Sequence, residues 1–150
     1  MDPVNALAVV SALVVAATAA GLLWRARTGR LPTRAEPAAG TDLAAIAVAH
    51  GTLGREATLV QFSTEYCAPC RATSRTLGEL ASAGVGITHV EIDLSGNPEL
   101  ARRFGILQTP TTFVLDGAGL QRARIGGAPR MRELHALLDE LTGAGHVGAR

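Results

Sequence analysis

Cys67 and Cys70 are the only cysteines of the chain, and they stand in the order Cys67-Ala68-Pro69-Cys70. Two cysteines this close together cannot brace a loop-rich scaffold, so an apolar core must hold the fold. Hydrophobic residues supply 47% of the chain and charged residues 18%, which is enough for such a core and excludes disorder throughout. A length of 150 residues leaves room for one domain of ordinary size and an appendage.

The appendage comes first. No charged residue occurs from Val4 to Trp24, a run close to the ~20 residues that a helix needs to cross ~30 Å of hydrocarbon. Residues 1–24 are therefore expected to form a transmembrane helix. A cleaved secretory signal would need a basic segment before the apolar run, and the only charged side chain there is Asp2. Arg25, Arg27, Arg30 and Arg34 crowd the far flank, behind Trp24 at the expected interface. Basic flanks favour the cytoplasm, which predicts a single-pass protein with its N-terminus outside and its catalytic domain cytoplasmic. Residues 25–41 carry Gly29, Pro32, Pro37 and Gly40 with no apolar period, as a flexible linker does.

Residues 42–142 alternate between strand and helix patterns, with a flexible tail expected over 143–150. Asp42 caps a helix through Ala49, and the apolar run Thr58 to Ser63 reads as a buried strand. A helix over 68–81 follows, then a strand over 86–93, and a short helix that opens on Asn97-Pro98 and ends near Phe104. Strands over 111–115 and 120–125 flank the turn Asp116-Gly117-Ala118-Gly119. The final helix, from about Pro129 to Leu141, repeats Met131, Leu134, Leu137, Leu138 and Leu141 at helical spacing. This order predicts an α/β domain with a central mixed sheet flanked by helices.

A Cys-x-x-Cys that opens a helix directly after a strand has a chemical consequence. The first sulfur lies where unpaired backbone N–H groups and the positive end of the helix dipole point, which favours its thiolate. Cys67 is thereby the expected nucleophile, and Cys70, one turn further on, the resolving thiol that displaces a mixed disulfide. Pro69 restricts the backbone between them.

The segment Thr58–Arg71, TLVQFSTEYCAPCR, resembles the active-site segment of the thioredoxin family. Thr109-Pro110-Thr111 is similar to the family's cis-proline segment, and Ile125-Gly126-Gly127 to its glycine loop. The resemblance covers roughly Leu43 to Leu141 and implies a thioredoxin-like fold and thiol–disulfide oxidoreductase activity in cell redox homeostasis. It further implies a substrate groove lined by Tyr66, Ala68, Pro69, Thr109, Pro110 and Gly126. Against the family pattern, Gln61 stands in place of a buried acid and cannot take a proton from the second thiol. Tyr66 replaces a tryptophan, Ala68 a glycine, and Thr109 a residue that is more often isoleucine. His89 lies near the position of a family lysine, and its expected setting is a strand residue facing solvent.

No nucleotide, flavin or metal motif occurs, so no cofactor is expected and electrons must come from or go to another protein. The expected partners are disulfide-containing proteins, that electron donor or acceptor, and the membrane. The basic residues are all arginine and the net charge is only +1, a balance that does not suggest a nucleic-acid surface. Zinc would need two more ligands, and His50, His89, His135 and His146 show no paired spacing. Two other functions stand beside disulfide reduction. One is an extracytoplasmic oxidant or reductase in envelope protein or cytochrome maturation; the other is a redox-silent peptide-binding module.

Overall fold

The computed structural model describes residues 3–27 and 40–143. The first helix, α1, runs Pro3–Arg27. It continues past the expected boundary at Trp24 because Arg25, Ala26 and Arg27 are all good helix formers. Its described side chains, Asn5 and those of 7–23, are exposed, with Leu7, Leu13 and Val15 all more than half accessible. Among the described residues no helix is long and apolar enough to cross a membrane. Of the linker expected over 25–41 and the tail expected over 143–150, residues 28–39, with Arg30 and Arg34, and 144–150, with His146, lie outside the described residues.

The remaining elements are α2 (Gly40–His50), β1 (Ala57–Ser63), α3 (Ala68–Ala83), β2 (Ile87–Asp93), α4 (Pro98–Arg103), β3 (Thr111–Asp116), β4 (Gln121–Gly126) and α5 (Met131–Leu141). They follow the expected sequence of elements, with ends displaced by a residue or two. The four strands make one mixed sheet in the order β2-β1-β3-β4. β1 runs parallel to β2 and antiparallel to β3, and β4 is antiparallel to β3.

All seven residues of β1 are buried, because this strand lies inside the sheet and both its faces are covered. Val60 and Phe62 point to one side and join Leu43, Val90, Ile92, Phe104, Phe113 and Leu115. Ala57 and Leu59, one residue out of phase, join Leu77, Val114, Ile125, Leu134 and Leu138 on the other. The helical repeat of α5 fits this second layer: Leu134 and Leu138 are buried, and Met131, Leu137 and Leu141 pack partly buried against them.

Short polar devices fix the connections. Asn97 accepts the Leu100 N–H through its side chain and so caps α4, with Pro98 at the start of the helix, where its missing N–H costs nothing. Asp116 Oδ1 accepts the N–H groups of Ala118 and Leu120 and closes the β3–β4 turn. Gly119 takes φ +77° there, a conformation that an L side chain rarely adopts.

Candidate active site

β1 ends at Ser63, and the chain crosses to α3 in four residues, Thr64 to Cys67. Cys67 is the N-cap of α3, Ala68 opens the helix, and Pro69 sits in its first turn. The Cys67 sulfur accepts the Cys70 N–H at 3.2 Å, and the Cys67 carbonyl accepts the same donor at 3.1 Å. One N–H at the helix start is thus shared between the Cys67 carbonyl and the first sulfur. Cys67 and Cys70 are joined in a disulfide of 2.08 Å, with Cα atoms 5.2 Å apart. Their exposure differs: Cys70 is 1% accessible, whereas Cys67 is only half-buried and stands between the exposed Tyr66 and Ala68.

The crossing is held from two sides. Ser95 Oγ accepts the Glu65 N–H at 2.8 Å and donates to Asp93 Oδ1 at 2.7 Å. Asp93 also takes the Ser95 N–H at 2.9 Å, and the Ser95 backbone donor and hydroxyl hold its exposed carboxyl below the usual carboxylate range. On the other side, the Thr64 and Thr109 hydroxyls lie 3.4 Å apart, which ties the Cys67 loop to the loop before β3.

That second loop contains the other expected site residues. The Thr109–Pro110 peptide is cis, Thr109 is half-buried and Pro110 buried. Pro110 O accepts the Gly127 N–H at 2.7 Å, so the residue after β4 is tied back to the proline loop, and Gly126 pairs with Thr111 in register. The structure therefore brings the Cys67–Cys70 turn and the Thr109-Pro110 loop together, with Gly126 on the far side of the latter. Tyr66 is 91% exposed, too open to serve as a packed wall in this state, and Pro69 is exposed as well.

Sequence reasoning passed over several residues here. Gln108 lies across Gly126, where an added Cβ would meet its amide nitrogen at 2.4 Å. Its only signal was its position next to Thr109-Pro110. Asp93 and Ser95 were legible as an Asx turn after a strand, but nothing in the sequence tied that turn to Glu65. The solvent-facing setting expected for His89 is overturned. The ring is half-buried and its Nε2 lies 3.2 Å from Gln61 Oε1, because the register of β1 on β2 directs both side chains to the α3 side. Among the described residues no three His, Cys, Asp or Glu side chains gather as a metal site.

A family model for thioredoxin matches residues 48–140. The chain belongs to the thioredoxin family. It is 31% identical to the thioredoxin of Streptomyces clavuligerus over 48% of its own length and 67% of that protein. To the thioredoxin of Alicyclobacillus acidocaldarius it is 32% identical over 59% of its own length and 84% of the relative. The solved structure of Chlamydomonas reinhardtii thioredoxin f2 superimposes with a TM-score of 0.52 at 22% identity, covering 69% of this chain and 91% of that one. That likeness bears on the fold alone. Family membership together with the Cys67–Cys70 pair makes the protein a thiol–disulfide oxidoreductase.

Proposed function

We propose that the protein reduces disulfides of other proteins through a mixed disulfide on Cys67 that Cys70 resolves, as part of cell redox homeostasis. The observation that carries this reading is the unequal exposure of two sulfurs already within bonding distance, with a backbone N–H directed at the outer one. Once the pair is reduced, that donor and the α3 dipole favour the Cys67 thiolate over the thiol. The thiolate attacks a substrate sulfur, and the other substrate sulfur leaves with the electron pair. Cys70 then attacks Cys67, which closes the disulfide and releases the second substrate thiol.

Tyr66, Ala68, Pro69, Thr109, Pro110 and Gly126 line the face on which a substrate strand would lie in this reading. A relative from Mycobacterium leprae, 30% identical over 54% of this chain, is named a bifunctional thioredoxin reductase/thioredoxin. That pairing supports thioredoxin reductase as the class of electron donor here. The test is insulin disulfide reduction with the Cys70→Ser variant. It should accumulate mixed disulfides that reductant releases, whereas Cys67→Ser should trap none. Equal trapping by both would remove the assignment of roles.

Membrane attachment belongs to the same proposal, with the redox domain on the cytoplasmic side. Its support is the uncharged run Val4 to Trp24, the four arginines behind it and the exposed apolar side chains of α1. The full chain should stay with the membrane pellet through alkaline carbonate washing, and a tag after Arg150 should resist protease in intact spheroplasts. Release by carbonate would end the anchor reading, and digestion before lysis would move the domain outside and favour a role in envelope protein maturation.

A further inference from the structure

A polar strip interrupts the apolar sheet face under α3. Thr112 on β3 lies opposite Gln61 on β1, Gln61 lies beside Glu91 on β2, and His89 stands two residues before Glu91 on the same face. Thr112 and Gln61 are fully buried, and the Thr112 hydroxyl has no hydrogen-bond partner among the described residues. Polar groups placed among Leu59, Leu77 and Val114 cost stability unless they are paired, so their position under the cysteine helix calls for a reason.

Gln61 uses both ends of its amide. Its Nε2 donates to the Cys70 carbonyl at 3.0 Å, which leaves Oε1 to accept from His89 Nε2 at 3.2 Å. The imidazole must therefore bring its proton on Nε2, and in the neutral ring the lone pair sits on Nδ1. Nδ1 faces α3 at Gly78, 4.0 Å from where a Cβ there would stand. A second proton enters at Nδ1 and leaves the bond to Gln61 in place, so the ring can gain charge with no loss of the line that leads to Cys70.

The surroundings of the ring are sparse in charge. Burial, the larger effect, pushes the His89 pKa down from 6.5, and Glu91 on the same strand pulls it back up. From α3, Ser74 donates to Glu91 at 2.6 Å and Gly78 brings no side chain. From β1, Gln61 is neutral.

We propose that His89, held to Cys70 through Gln61, is a positioning residue whose charge governs how readily the Cys70 thiol ionises in the reduced protein. The proposal rests on the dithiol chemistry set out above. In the resolving step Cys70 Sγ gives its proton to water and attacks Cys67 Sγ. The Cys67–substrate bond breaks, the substrate sulfur takes the electron pair and then a proton from water, and the proton held on Nδ1 offsets the negative charge on Cys70 meanwhile. As a general scale, a unit charge ~10 Å from a thiol at an effective dielectric constant of about 20 moves its pKa by about one unit, a tenfold change in thiolate.

The experiment is single-turnover closure of an aromatic-thiol mixed disulfide on Cys67, followed by absorbance of the released thiol from pH 5 to pH 8. The low pKa of that leaving group keeps its own protonation out of the profile. In His89→Gln the rate should fall about tenfold per pH unit below the Cys70 pKa. In the wild type the fall should flatten once the ring charges, so that it closes about threefold faster than the variant at pH 5, the tenfold gain in thiolate being partly offset by the weaker nucleophilicity of the more acidic thiol, and equally fast at pH 8. His89→Asn, a smaller neutral replacement, guards against a packing effect of glutamine and should lose the same acid limb. A variant-to-wild-type ratio that is constant with pH, whether unity or a uniform slowing, overturns the proposal. No closure by the wild type at any pH would instead sink the redox reading itself.

Discussion

Cys67→Ser should lower disulfide reduction by a factor on the order of 10³ or more, measured as insulin turnover with a chemical dithiol as the electron source. The size follows from the site having one accessible sulfur. Cys70, in the first turn of α3, is 1% accessible, so it has no open approach to a disulfide in another protein. Serine keeps the N-cap, since its oxygen accepts an N–H at least as well as sulfur does, and the variant should fold. Its alcohol is far too weak an acid for the helix start to ionise, so the nucleophile is lost while the groove remains. Binding of a reduced substrate peptide should therefore change little in the same variant. Retained turnover would show that the chemistry runs through another route. A protein that keeps its cellular role without either cysteine would favour a peptide-binding module.

The fold and the outline of the site were legible because both rest on local signals. Asn97-Pro98 marks the start of α4, Asp116 to Gly119 the β3–β4 turn, and the leucines of α5 a helical face, and each forms through contacts a few residues apart. The cysteine turn is equally local, since strand, N-cap and helix follow within one short segment. The setting of His89 and the anchoring of Glu65 are not legible, for the opposite reason. His89 meets Gln61 across 28 positions and Glu65 meets Ser95 across 30, and pairings of that range depend on strand register, which the sequence does not print. The environment of Gln61 shows the same division. Its identity as a departure from the family pattern was readable, but the carbonyl and the imidazole that satisfy its amide appear only when β1, β2 and α3 are assembled.

The heaviest structural loss should come from Phe62→Ala. Phe62 is fully buried in β1 one residue before its last, and its ring lies 5.4 Å from that of Phe104 and 5.7 Å, edge-on, from that of Phe113. It thus joins α4 and β3 to the strand that leads into the cysteine turn. Removing a buried phenylalanine costs about 3–5 kcal/mol, because the lost transfer free energy adds to that of the cavity left behind, and aromatic pairs contribute roughly 0.5–1.5 kcal/mol beyond their area. Domains of this size are stable by about 5–15 kcal/mol, and each kcal/mol moves the melting temperature of a ~100-residue domain by about 4–8 °C. A drop of roughly 15–30 °C is therefore expected, read by thermal unfolding of the oxidised protein. Phe62→Leu, which retains most of the volume, should recover more than half of it. A loss of only a few degrees in Phe62→Ala would mean that α4 and β3 close over the gap, and that the cysteine turn is held by the Ser95 and Thr109 contacts rather than by the aromatic cluster beneath it.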